Sequence, residues 1–100
     1  MTMETLISLL AFHFACSDAS TTRQMSSAEI ASCSDVYTEI KLAFVDGMDA
    51  ATFRTLPIQE QAAVNSRAYR AYYEWSQSHP GLISHARRIA RGEARPGTSL

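Results

Sequence analysis

Three histidines, two cysteines, a pair of nearby aspartates and a cluster of arginines are the residues of this 100-residue chain best suited by type to chemistry. A hydrolytic or group-transfer site needs a nucleophile, a base and a third group that fixes their geometry. His13 falls in an apolar run and is expected to be buried or at the edge of a core, with one nitrogen satisfied. His79 precedes Pro80 in a turn, a capping position. His85 stands one turn before an arginine cluster, whose field works against a general base. Asp46 and Asp49 are close enough in sequence to suggest paired carboxylates, but both sit where helix ends call for caps. The chain has no phosphate-cradling glycine loop, nucleophile elbow or HExxH spacing. His79 and His85 have no third and fourth ligand beside them, so a zinc site is not expected. These residues describe a protein that is not an enzyme and needs no metal or cofactor.

Cys16 and Cys33 form neither a CxxC nor a Cys/His pattern. Two reduced, partly buried thiols in a cytoplasmic protein are the expectation.

The charged residues are more informative. Residues 1–50 hold seven acids against Arg23 and Lys41, a balance of −5, and residues 51–100 hold seven Arg against three Glu, a balance of +4. An acidic half joined to a basic half suits self-complementary packing or charged partners. Arg87, Arg88, Arg91 and Arg95 mark the C-terminal region as cationic, with Arg67 and Arg70 upstream. Tyr73 follows Arg70 and lies off the expected inner stripe, and Tyr, Trp and Arg dominate interface hot spots. Arg70, Tyr73, Arg87, Arg88 and Arg91 are therefore the expected partner-binding surface. Asp35, Glu39 and Asp46 form a secondary acidic surface able to compete for a basic, nucleic-acid-handling protein.

These side chains need helices to position them. Only four Gly and three Pro are present, too few for a many-turned β-fold. Leu6, Leu9, Leu10, His13 and Phe14 recur at helical spacing, predicting a first helix from Met3 to about Cys16. Its apolar run imitates a signal peptide but follows Glu4 with no Lys or Arg. It is also shorter than the roughly 20 residues that span a bilayer. A buried first helix, without membrane association, is expected. Ser17–Met25 reads as a polar loop. Ser26 and Glu29 have capping-box spacing, opening a second helix with Ile30, Cys33, Tyr37, Ile40 and Phe44 inward, ended by Gly47. Asp49 caps a short helix to Phe53. Pro57 starts a long helix to about Ser78, with Ile58, Ala62, Asn65, Ala68, Tyr69, Tyr72 and Trp75 inward. Leu82–Arg91 is the last helix. The expected fold is all-α, a compact bundle of four to five helices over residues 1–92, with 93–100 a disordered tail.

One segment, Phe53-x-x-Leu56-Pro57-x-x-Glu60-Gln61-x-x-Val64 ending in Ala68-Tyr69, resembles a stretch in small phage-encoded anti-CRISPR proteins. The resemblance implies a non-catalytic protein–protein inhibitor of phage or mobile-element type, acting in the host cytoplasm. It would bind a type I CRISPR surveillance complex or its nuclease and block DNA recognition without a cofactor. The alternative is a small helix-turn-helix-like DNA-binding regulator, drawn from the turn at Ser78–Gly81 and the arginines after it. Free nucleic acid is the less favoured partner, because the chain is not basic overall. The oligomeric state is not legible in the residues.

Overall fold

Five helices make up the computed structural model, which describes residues 1–95: α1 (Met3–Thr22), α2 (Ser27–Leu42), α3 (Ala50–Thr55), α4 (Ile58–Ser78) and α5 (Pro80–Ala90). The described residues contain no strand. The architecture is an all-α bundle in which α1 packs most extensively on α5 and then on α2, while α4 packs on α2. The last five positions of the expected tail lie outside the described residues.

Local chemistry sets the helix starts. The Thr2 hydroxyl accepts the Thr5 amide at 3.1 Å, and Glu4 occupies the first turn, where the helix dipole favours an acid. At α2 the Ser26 hydroxyl accepts the Glu29 amide at 3.1 Å, and the Glu29 carboxylate accepts the Ser26 amide at 3.0 Å, completing the capping box. Asp49 caps α3 through the Thr52 amide at 2.7 Å. Pro57 is the cap residue of α4, so the helix starts at Ile58, one position later than expected, and the Gln61 side chain donates to the Leu56 carbonyl at 2.9 Å. Pro80 is the first residue of α5, where its missing amide costs no hydrogen bond. Gly92 closes α5 at φ +75°, with its amide on Ile89 and the Glu93 amide on Arg88, a Schellman pair.

Three expectations are corrected. First, α1 continues through the stretch read as a loop, ending at Thr22. Its surplus hydroxyls turn back on the backbone, Ser20 donating to the Ser17 carbonyl at 2.7 Å and Thr21 to that of Asp18 at 2.8 Å. Second, α2 stops at Leu42, and the chain tightens through the i→i+3 bonds Phe44 to Lys41 and Val45 to Leu42 before Gly47 at φ +71°. Third, the inner face of α4 is only partly the expected one. Ala68 and Tyr72 are buried and Trp75 is half-buried, but Ile58 (79% exposed), Ala62, Asn65 and Tyr69 face out, and Val64 is buried instead. In the buried row Val64 and Ala68 meet α2 and α3, and Tyr72 meets α1, α2 and α5, so packing rather than side-chain size chooses the face.

The core has two parts. Leu6, Leu10 and Phe14 of α1 meet Ile40 of α2, Tyr72 of α4 and Ala86 of α5, with Leu10 and Ile40 fully enclosed. Leu42, Val64 and Ala68 form the second part, covered by Phe53 and Leu56 at the end of α3. Burying a Leu or Ile side chain contributes roughly 1.5–3 kcal/mol relative to leaving it exposed. The first cluster therefore fixes α1, α4 and α5 around α2, and with them the cationic side chains.

Candidate interaction cleft

A cleft of about 390 Å³ opens between α1, α4 and α5, lined by Phe14, Tyr72, Ser76, Gln77, Pro80, Ile83, Ser84 and Arg87. Its floor is aromatic and aliphatic, and its rim carries two hydroxyls, one amide and one guanidinium. Arg87 lies with its guanidinium carbon 4.1 Å from the centre of the Phe14 ring. Such cation–π contacts fix the planar group and leave its N–H edge free to donate.

The ion pairs among the described residues are Arg23–Glu29, Arg54–Asp35 and Arg91–Glu93. Among the described residues, Arg87 thus has no carboxylate within salt-bridge distance. Its charge is felt nearby. Burial first, and then Arg87 and Lys41, hold His13 below the ordinary histidine pKa. Burial raises the Tyr72 hydroxyl pKa, with Tyr37 acting in the same sense and Arg87 opposing. His13 is stacked on Tyr37, with ring centres 4.5 Å apart and planes 8° from parallel. Lys41 sits 4.4 Å from the Tyr37 ring centre and donates to Asn65, and burial lowers its pKa.

The five expected partner-binding residues are arranged around this cleft in different ways. Arg87 is on its rim. Arg88 reaches Ser84 Oγ at 3.4 Å, and so sits one turn beyond a rim residue. Arg91 is engaged by Glu93. Arg70 and Tyr73 are exposed on α4, and the row Arg70, Tyr73, Gln77 leads along that helix to the cleft at i, i+3, i+7 spacing. Tyr73 stacks on Tyr69 at 6.3 Å. No hydrogen bond or ion pair joins Arg70 or Tyr73 to the α5 arginines among the described residues.

The acidic set is less uniform than its sequence suggests. Asp35 pairs with Arg54 at 3.3 Å, while Glu39 and Asp46 stay exposed, the first on α2 and the second in the turn after it. Asp49 is committed to its cap, and the Thr52 amide holds its carboxyl below the usual range. His79 Nδ1 lies 2.8 Å from the Trp75 carbonyl, and its ring stacks on Trp75 at 4.7 Å. His85 is 2% exposed; its Nδ1 is 3.5 Å from Arg88, and its Nε2 makes no hydrogen bond. Among the described residues, no group of three or more His, Cys, Asp or Glu side chains is placed to hold a metal ion.

The largest difference from expectation is covalent. Cys16 and Cys33 form a disulfide between α1 and α2, and no cysteine is free. A signal for it exists in the spacing. Two antiparallel helices turning between Arg23 and Ser26 bring position 16 opposite position 33, but only once Ser17–Thr22 is recognised as helix. Ile30, expected inward, is 57% exposed beside this bridge. Among the described residues, no helix is long and apolar enough to cross a membrane. No protein-family model matches the chain, and neither a curated protein nor a solved structure matches it.

Proposed function

We propose that this chain is a non-catalytic inhibitor that binds a protein partner through the cleft between α1, α4 and α5, with Arg87 taking a carboxylate from the partner. The observation that carries this reading is Arg87 itself: a guanidinium held in place by Phe14, beside an open cleft, with no carboxylate paired to it among the described residues. A partner Asp or Glu entering there meets a fixed planar donor, and pre-organisation lowers the ordering cost of binding. Ser76, Gln77 and Ser84 can complete the hydrogen bonds, while Phe14 and Ile83 offer apolar contact. Arg70 and Tyr73 extend the same face along α4.

The sharpest form of the proposal is an anti-CRISPR protein directed at a type I surveillance complex or its nuclease, with the host cytoplasm as its compartment. Its support is the resemblance over Phe53–Tyr69, together with small size and divided charge. The alternative of a helix-turn-helix-like regulator draws less from the geometry. A single residue, His79, separates α4 from α5, where that motif uses a turn of three or four residues. The arginines of α5 lie in its C-terminal half, whereas recognition helices read bases from their N-terminal residues.

The test is binding of the tagged chain to a purified type I surveillance complex, with labelled duplex DNA as competitor. Retention of the complex by the natural chain, and its loss with Arg87→Glu and Arg88→Glu combined, is the expected result. Binding that survives the double charge reversal removes the cleft from the interface. Binding to duplex alone, weakening steeply with salt, replaces the inhibitor by the DNA-binding regulator.

A further inference from the structure

The last six residues of α1 are Ser17-Asp18-Ala19-Ser20-Thr21-Thr22, a segment whose composition disfavours a helix. Ser, Asp and Thr compete with the backbone for hydrogen bonds, and such residues collect in caps and turns. None of the six is buried, and only Ala19 is even half-covered. The segment nevertheless completes α1.

Few groups hold it there. Ser20, Thr21 and Thr22 bond only to carbonyls of the segment itself. Arg23, just past the end, pairs with Glu29 at 2.6 Å, but both are solvent-exposed and such pairs contribute little. The remaining anchor is the Cys16–Cys33 bridge, immediately before the segment. Upstream of it, Leu6, Leu10 and Phe14 are held by the core and do not depend on the bridge.

We propose that Cys16–Cys33 is a thiol–disulfide switch that sets whether Ser17–Thr22 is helix or loop. The bridge is open to exchange. Both cysteines are half-buried, and both line two open clefts, one shared with Phe12, Ala19 and Met25, the other with His13, Ser20 and Ile30. A dithiol reductant attacks one sulfur as thiolate, forming a mixed disulfide and releasing the other cysteine as a thiol. Its second thiolate then displaces the first cysteine. The chain gains two electrons and two protons as two thiols, and the reductant leaves as a disulfide.

In the oxidised chain, Ala19 and Met25 wall one cleft while Ser17, Ser20 and Met25 wall the other. Unwinding Ser17–Thr22 removes those walls and frees Met25. The surface around Phe12 and Ile30 therefore has a defined shape only while the bridge is closed. This device is independent of the arginine cleft, which lies on the α1–α4–α5 side of the molecule.

The experiment is residue-resolved amide exchange on the full chain, oxidised and after dithiothreitol, with the double variant Cys16→Ser, Cys33→Ser as a control under oxidising conditions. Exchange at Ser17–Thr22 rising by about tenfold or more in both the reduced chain and the variant, with Leu6–Phe14 and α4 still protected, is the expected result. Unchanged exchange at Ser17–Thr22 overturns the proposal. So does a fall in protection at Leu6–Phe14 and α4 as large as that at Ser17–Thr22 and down to the same level, which would make the bridge a global staple. Opening the loop, with its sequence separation of 17, lowers the folded-to-unfolded ratio by on the order of a hundredfold, and the core is expected to stay protected above the segment after that loss.

Discussion

Arg87 of α5 stands over the ring of Phe14 of α1, 4.1 Å from its centre, and so ties the most cationic helix to the most apolar one. The contact does two things at once. It orients a charge at a cleft, and it seals one edge of the core where Phe14 is buried. A double-mutant cycle with Arg87→Ala and Phe14→Leu in urea denaturation should give a coupling of about 0.5–1 kcal/mol, the range for cation–π pairs at exposed sites. Additive effects would mean that the two side chains are merely adjacent.

Partner binding should rank the arginines by how they are held. Arg87→Ala is expected to weaken binding roughly tenfold, about 1.4 kcal/mol. Arg91→Ala should change it by less than about twofold, because Arg91 is already engaged by Glu93. Titration calorimetry on the two variants decides, and equal losses would remove Arg87 from its central place.

Acidification should destabilise the fold through His13. Its folded-state pKa lies below the unfolded one, so below the ordinary value of 6.5 the unfolded chain binds more protons. Stability therefore falls as pH drops from the unfolded value to the folded one, and this contribution is flat below that. Urea midpoints measured from pH 8 to pH 4 should show the decline, and His13→Gln should reduce its slope. Arg87→Gln should also narrow the window, since Arg87 is one cause of the shift.

A second acid-sensitive element lies at the start of α2. Arg23, and after it the Ser26 amide, hold Glu29 down to about 2. The folded value is the lower one, so its contribution is present above the unfolded carboxylate range and is lost as pH falls toward about 2. Glu29→Gln should abolish this acid-limb dependence. Ser26→Ala should cost about 1 kcal/mol at neutral pH, as loss of a helix cap does.

Gly92→Ala isolates backbone conformation from packing. No atom of the described residues lies within 4 Å of the position a Cβ would take, yet φ is +75°. Thermal denaturation should register a loss of roughly 1 kcal/mol, the cost of a left-handed residue other than glycine. No loss would mean that the end of α5 re-forms by another route.

Much of the fold was legible because its signals are local. Thr2, Ser26 and Asp49 cap helices from within three residues, and Pro80 and Gly92 mark the ends of α5 by their own stereochemistry. Leu6, Leu10 and Phe14 announce a buried face by spacing alone. The capping box formed as its two residues predict, since both partners are only one turn apart.

What residue order left open depends on neighbours distant in the chain. Tyr69 and Tyr72 are equally apolar on a helical wheel, and only the positions of α1, α2 and α5 decide that Tyr72 goes in while Tyr69 and Ile58 stay out. Ser17–Thr22 prefers a loop on composition and is helical beside a bridge that joins positions 16 and 33. Arg87 becomes distinct from Arg88 and Arg91 only through Phe14, seventy-three positions earlier in the chain. Helix existence follows from hydrogen bonds within a turn, which residue order specifies directly. Helix facing, the disulfide and the cleft follow from how five amphipathic surfaces share one core, and that is settled only when all of them are packed together.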